Sequence, residues 1–530
     1  MLKTLTLAGV LSLGTIAASL AQTPQRGGTL NFIAPYGSSF STLDVHATPT
    51  IQDDIFASSI HRSLYRWDSE KNEPVLELAS AVEESSDGRV FTYRLRPNAV
   101  FHHGKPFTAD DVIWSYHRVA NPANAFPGAR FLANIKGVAE FAAGSATTIS
   151  GLRKIDDHTL EITYNTPTNP GFTLMRGTVA IYPSDIGGRP EFATRPSGLG
   201  AFRFVEHVPG SRAVVERFDR YYKEGLPYLN RVNVVIMGDA SARDVAFRNR
   251  EIDVSILGPA QYQTYQADPV LKNHLIEVAE VFTRNIGFNL SYPPFADRRV
   301  RQAINHAINS GLIIQRLARN KAYPATSWLP ISSPAYDRNA TPYAYDPARA
   351  RALLAEAGFA NGFEFEVNAT PNESWGVPIV EAIIPMLAQV NIRVRPRPVE
   401  SAVHSELIVK GEFQSYIWSN ATGPDPVSAL LCFYSKTPRS ACNYTGFSNP
   451  EFDRLFDAAR AERDPAKQND LLRQANNLLQ QEAPIWFFNY NKAVMAYQPW
   501  LHGLQPNATE LALQNYEALW IDSTAPASRR

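Results

Sequence analysis

Phe91, Tyr93 and Leu95 alternate with Thr92, Arg94 and Arg96, and Leu160, Ile162 and Tyr164 repeat the pattern. This period of two predicts strands with one buried face. Further strands are predicted over residues 29–35, 254–259 and 363–370, and two late ones over 485–490 and 493–497. Elsewhere the apolar spacing switches to that of one helix face. Val112, Tyr116 and Val119 follow a capping box at Thr108 and Asp111, and Leu353 and Leu354 lie between Asp346-Pro347 and Gly358. Phe452, Leu455, Phe456 and Ala459 follow Asn449-Pro450, and Leu471, Leu472, Ala475, Leu478 and Leu479 follow Asp464-Pro465. A further helix is predicted over 377–390. Residues 284–308 divide the chain: they start extended, break at Pro293-Pro294, and continue as a helix capped by Asp297. Val300, Ala303, Ile304, Ala307 and Ile308 form its apolar side, and Arg298, Arg299 and Arg301 are expected opposite, in water.

At 530 residues the chain is too long for one core, so two or more domains are expected. Basic and acidic residues both number 51, which leaves no charge excess to favour nucleic acid or an anionic membrane surface. The first residues indicate the compartment. Lys3 precedes an apolar run over 5–18, shorter than the roughly 20 residues of a membrane-spanning helix, and Ser19-Leu20-Ala21 offers small residues at a cleavage site. Residues 1–21 therefore read as a signal peptide cleaved after Ala21, with export to the periplasm; an uncleaved anchor is the alternative. No cysteine follows the run, so no lipid anchor is expected. The two cysteines, Cys432 and Cys442, read as a disulfide closing a small loop.

Other candidate chemistry is sparse. His102-His103 suggests a metal, but adjacent side chains on an extended loop point to opposite sides. Gly198 and Gly200 lack the Lys-Ser or Lys-Thr that completes a phosphate loop, and a tight backbone turn accounts for them better. Neither G-x-S-x-G nor H-E-x-x-H occurs, and no cysteine remains for catalysis if the pair is bridged. A hydrolase with two unmarked carboxylates is the remote enzymatic alternative.

Several long motifs carry a family resemblance. DGRVFTYRLRPNAVFHHGKPFTADDVIWS at 87–115 is very close to the signature region of family 5 solute-binding proteins of ABC importers, the class that takes dipeptides, oligopeptides and nickel. GFNLSYPPFADRRVRQAINHAI at 287–308 resembles that family's entry into its second lobe, and SLYRWD at 63–68, RPSGLGAFRF at 195–204, DRYYKEGLPY at 219–228 and YDPARARALLAEAGFANGF at 345–363 fit it too. The resemblance implies an α/β fold: a two-lobed periplasmic binding protein of type II, cluster C-like, with an extra subdomain in the first lobe and a hinge between the lobes. It places the first lobe at 22–65 and 195–280, the extra subdomain at 66–194, the second lobe at 281–500, and a return to the first lobe with the tail at 501–530. It implies a monomeric, non-enzymatic carrier without cofactor or metal, delivering a solute to an inner-membrane ABC permease.

The resemblance points to a peptide as ligand, but two departures bear on how it is held. FQSYIWSNATGPDP at 413–426 has Ser419, Asn420, Ala421 and Thr422 where dipeptide-binding relatives place an Asp for the peptide amine. Asp425 matches the family's structural Asp-Pro turn instead. In the loop 372–375, Glu373 stands where those relatives carry an Arg for the carboxylate. A charge buried in a closing cleft without a partner costs several kcal/mol, which disfavours a small zwitterion. Longer peptides, or an opine-like, glycosylated or amine-containing solute, fit better. The expected ligand contacts are Trp375 and Trp418 as platforms, Glu373, Asn420 and Thr422 as polar groups, and Ser38, Phe40 and residues 257–259 from the first lobe. Trp418 and Phe40 also read as core residues.

Overall fold

The computed structural model describes residues 23–34, 42–48, 51–372 and 375–530. The predicted signal peptide lies outside the described residues, as do Ser38, Phe40 and Glu373. Among the described residues no helix is long and apolar enough to cross a membrane.

The first core is built on two four-stranded sheets. One runs in the order Thr29–Ile33, Arg231–Val235, Arg212–Arg217, Phe202–Val208; the other Ala79–Glu84, Val90–Leu95, Thr159–Thr163, Leu152–Asp156. Alternation dictates the second of these: Phe91, Tyr93, Leu95, Leu160 and Ile162 all turn inward, at most 4% exposed. The helix Ala109–Ala120 covers it with Val112, Tyr116 and Val119, and its Asp111 accepts from Thr108 N at 3.0 Å, the predicted capping box. The Asp87-Gly88 turn has Gly88 at φ +67°, as a tight reversal requires. SLYRWD enters a short hairpin as the strand Tyr65–Asp68.

His102 and His103 are fasteners in this half. Gly198 N donates to His102 Nδ1 at 3.2 Å and His102 Nε2 meets Gly200 O at 3.0 Å, while His103 Nδ1 meets Ser197 Oγ at 2.8 Å. Close packing, rather than a turn, requires the glycines: a Cβ on Gly198 or Gly200 would lie 2.0 or 2.2 Å from the carbonyl oxygens of Ile60 and Ser59.

The third sheet has seven strands, in the order Val254–Ile256, Ile485–Tyr497, Leu275–Phe288, Ser415–Ala421, Phe363–Ala369, Ile392–Pro398, with Ala322–Pro324 also on Ile485–Tyr497. Phe363–Ala369 is parallel to both neighbours, and the helix Val377–Ala388 makes one crossover. The helix Arg298–Ala307 turns its predicted stripe inward, with Val300, Ala303, Ile304 and Ala307 no more than 1% exposed, and Asp297 caps it by accepting from Arg299 N at 2.8 Å.

Arg301 departs from expectation: it is 4% exposed rather than solvated. Its guanidinium donates to Phe295 O at 2.8 Å and Glu482 O at 2.7 Å, and to Ala296 O and Ala483 O beyond 3 Å. Carbonyls left open where the helix Pro465–Glu482 ends converge with those of Pro293–Ala296, and five N–H groups in a planar fork suit them.

The two late strands predicted over 485–490 and 493–497 are one 13-residue strand, Ile485–Tyr497. With Leu275–Phe288 it links the cores. Leu275, Ile276 and Val278 pack with the first core and Ile286 and Phe288 with the second, while the partner strand leaves the second half after Tyr490 and joins the first core at Ala493, ahead of Leu501. At the changeover the register slips: Ala279 faces Lys492, but Thr283 faces Tyr490. The bulge is polar. Glu280 accepts from Asn491 Nδ2 at 2.6 Å and from Leu511 N at 3.0 Å, Arg284 donates to Asn491 Oδ1 at 2.9 Å, and Lys321 Nζ donates to Lys492 O at 2.7 Å. Burial and the Arg284 charge push the Lys321 ammonium down to about 8.

Candidate functional site

One wall of the site rises from the second half. Ser415–Ala421 pairs with Leu275–Phe288 so that Trp418 faces Asn285 and Asn420 faces Thr283, which sets all four on one side of the sheet. The helix Ser401–Lys410 brings His404 flat against Trp418, centroids 4.9 Å apart at 16°, and Trp375 lies 6.5 Å from Trp418 at 27°. The two predicted platforms thus stand together, both partly exposed. His404 is fully buried; its Nε2 lies 3.1 Å from Asn368 O and so donates, and burial pushes its pKa down, keeping the ring neutral.

Asn285, Asn420 and Asn368 share the side of the sheet that carries Trp418. Asn285 Nδ2 donates to Asn420 Oδ1 at 2.8 Å. Asn285 Oδ1, Asn368 Nδ2, Thr370 Oγ1 and both polar atoms of Asn489 are buried with no hydrogen-bond partner among the described residues. His404, Asn285 and Asn368 were not among the expected contacts. The available signal at Asn368 was an uncharged amide that follows Glu364 and Glu366 on one face of the strand at 363–369.

Thr422 sits differently. It is 5% exposed, and its amide and hydroxyl both donate to Val281 O at 2.8 Å, tying the end of its strand to the bulge. Asp425 caps the helix Pro426–Leu430, accepting from Val427 N at 3.0 Å and Ser428 N at 3.3 Å, as an Asp-Pro turn should. Leu257 packs in the first core and donates its N–H to Val494 O, and Gly258 precedes the helix Pro259–Ala267. Cys432 and Cys442 are bonded, and both line a cavity of about 20 Å³ that Asn420 also borders.

The other wall belongs to the first half. A cavity of about 180 Å³ lies between residues 57–69, residues 175–180 and the tail at 505–517. Beneath it lies a charge cluster. Arg62 reaches Glu77 at 3.2 Å and Glu517 at 2.7 Å, Lys223 reaches them at 2.8 and 2.7 Å, and the hydroxyls of Tyr222 and Tyr221 donate to Glu77 at 2.6 Å and Glu517 at 2.5 Å. Burial raises the Glu517 pKa, but Arg62 and Lys223 outweigh it and hold the carboxyl at about 2.

The walls meet at their rims. Arg176, which lines the cavity, is close enough to Asp425 to favour its charged form, against the burial that raises its pKa. Asn72 Nδ2 donates to Ser332 O at 2.8 Å, and Arg463 pairs with Glu84 while lying over Gly88. The Asp87-Gly88 turn is thus also the seat of a contact between halves.

Residues 73–441 match the profile of the bacterial extracellular solute-binding proteins, family 5 Middle. The glutathione-binding protein GsiB of Pectobacterium atrosepticum is 28% identical over 482 residues, covering 88% of this chain and 90% of GsiB. Among solved structures, the ABC transporter-associated periplasmic binding protein DppA from Helicobacter pylori, in complex with the peptide STSA, superposes with a TM-score of 0.73 at 22% identity, covering 94% of this chain and 98% of DppA. The periplasmic binding protein AgaA from A. tumefaciens R10, in complex with agropinic acid, gives 0.73 at 24% identity, covering 93% and 99%. These structures share the two-lobed fold.

Proposed function

The chain belongs to the family 5 bacterial extracellular solute-binding proteins, and we propose that it captures a peptide between its lobes and delivers it to an inner-membrane ABC permease. It acts as a periplasmic monomer, released by cleavage after Ala21, and leaves its solute chemically unchanged. The first lobe comprises 22–65 and 195–280 with the tail at 501–530, the extra subdomain 66–194, and the second lobe 281–500. Closure bends the crossing strands at the bulge around 279–285 and 489–493, where two separate cores are joined by polar contacts.

The observation that carries this reading is the pair of unlike walls that approach each other where Arg176, at the rim of one, lies within electrostatic reach of Asp425 and 3.8 Å from where a Cβ on Gly423 would stand. A solute between them makes contacts from both lobes only in the closed form, so binding shifts the population toward closure. Trp375, Trp418, Asn420 and Glu373 are the proposed contacts from the second lobe, and Ser38 and Phe40 those from the first. Thr422 acts through the hinge, because its hydroxyl is already donated to Val281.

A non-peptide solute is the second reading, favoured by the missing amine anchor at Ala421 and the acidic Glu373. Titration calorimetry separates the cases: free dipeptides are expected to give no measurable binding and longer peptides to bind. Submicromolar affinity for several dipeptides would overturn the role given to those two positions. Binding of opine-like compounds but of no peptide would replace the peptide reading with the second.

A further inference from the structure

The first-lobe cavity differs from the ring-lined wall in its charge. Its lining includes three guanidinium groups, Arg62, Arg66 and Arg176, against two carboxylates, Glu77 and Glu517. Those carboxylates are already engaged. Glu77 is held by Arg62, Lys223 and Tyr222, and Glu517 by Arg62, Lys223 and Tyr221. What remains on the wall is an excess of donors. Trp67 Nε1, which can only donate, and the Tyr516 hydroxyl, on a ring 3% exposed, are buried with no hydrogen-bond partner among the described residues. Arg66 Nε stands 3.2 Å from Glu77 Oε2 but is not aligned to bond it, and Arg66 Nη2 reaches Asp68 at 3.3 Å. His61, 3% exposed, has neither ring nitrogen bonded. A donor-rich wall whose carboxylates are already paired is completed by a ligand that brings acceptors and negative charge.

We infer that this cavity is an anion subsite that receives a carboxylate of the bound solute, with Arg66, Trp67 and Tyr516 as its donors. The inference rests on the reading that the solute lies between the lobes, since the cavity reaches the rim at Arg176. It also relocates the carboxylate anchor: the loop at 372–375, which carries Glu373, does not supply one, and the opposite lobe does. The charges that oppose it are Asp68, paired with Arg66, and Asp425, beyond Arg176.

Two measurements test the inference, and the first does not depend on the ligand. Crystals of the full chain soaked in sodium bromide are expected to show an anomalous peak in the cavity beside Arg66, Trp67 and Tyr516, and none after a rubidium soak. Ordered water alone, or rubidium in place of bromide, overturns the subsite. Second, N-acetyl trialanine as the free acid is expected to bind at least tenfold more tightly than its C-terminal amide. That preference should collapse in Arg66→Gln and shrink in Trp67→Phe, which keeps the ring and removes only the N–H. Equal binding of acid and amide overturns the inference even if bromide enters. If neither peptide binds, the bromide result alone decides the subsite.

Discussion

The two walls of the cleft solve the problem of burying polar surface in opposite ways. The first lobe gathers full charges from positions 62, 77, 223 and 517 and neutralises them against one another at 2.7–3.2 Å. The second lobe presents rings and amides, Trp375, Trp418, His404, Asn285 and Asn420, none of which carries charge near neutral pH. A charged wall is sensitive to pH and to the loss of any one partner, because the remaining buried charge is left uncompensated. An uncharged wall is sensitive to shape. Under the proposed function, the first lobe selects for charge and the second for a flat or extended surface laid against Trp418.

The largest effect expected from this contrast is in acid. His46 is fully buried in the first lobe, with Nε2 2.7 Å from Ala180 O and Nδ1 accepting from Arg118 at 2.8 Å, and burial, aided by the Arg118 charge, pushes its pKa down to about 4. The unfolded chain takes up that proton near the usual 6.5, so stability is lost as pH falls from 6.5 toward 4, by up to about 3 kcal/mol from this group. His61 is pushed down in the same direction by burial. Glu517 adds a second window, since a carboxyl held at about 2 in the fold loses its contribution as pH falls from 4.5 toward 2. Hydrogen exchange at pH 7 and pH 5 should show the first lobe losing protection before the second. Equal loss in both lobes would break the comparison.

A smaller effect sharpens it. Trp418→Ala removes the central ring of the platform and is expected to weaken peptide binding about a hundredfold, roughly 2–3 kcal/mol, with little change in melting temperature because the ring is partly exposed. Calorimetry beside thermal melting checks this. A large fall in melting temperature with unchanged affinity would return Trp418 to the core.

Periodicity made most of the fold legible. The inward faces at Phe91–Leu95 and Val300–Ala307 follow from spacing alone, and the capping residues Asp111, Asp297 and Asp346 mark helix starts because each accepts from an otherwise open N–H. The hinge was not legible as such. Asn491 and Lys492 interrupt the apolar run and read as a break between two strands, whereas in the fold they are polar residues of one strand as it changes cores. Arg301 read as solvated because local spacing does not reveal that carbonyls from residue 482, far along the chain, converge on it. The platform was half visible, since Trp375 and Trp418 stand out and His404 does not. The cavity was invisible because its charges are separated by hundreds of residues.

The most direct test of a solute held between two unlike walls is native mass spectrometry of the full chain purified gently from periplasm of cells grown on a peptide-rich medium. The account predicts a discrete noncovalent adduct that is lost on mild activation, has an unaltered peptide mass, and is absent from Trp418→Ala. Only the ligand-free mass in the unaltered protein, or a released fragment of an added peptide, would contradict it.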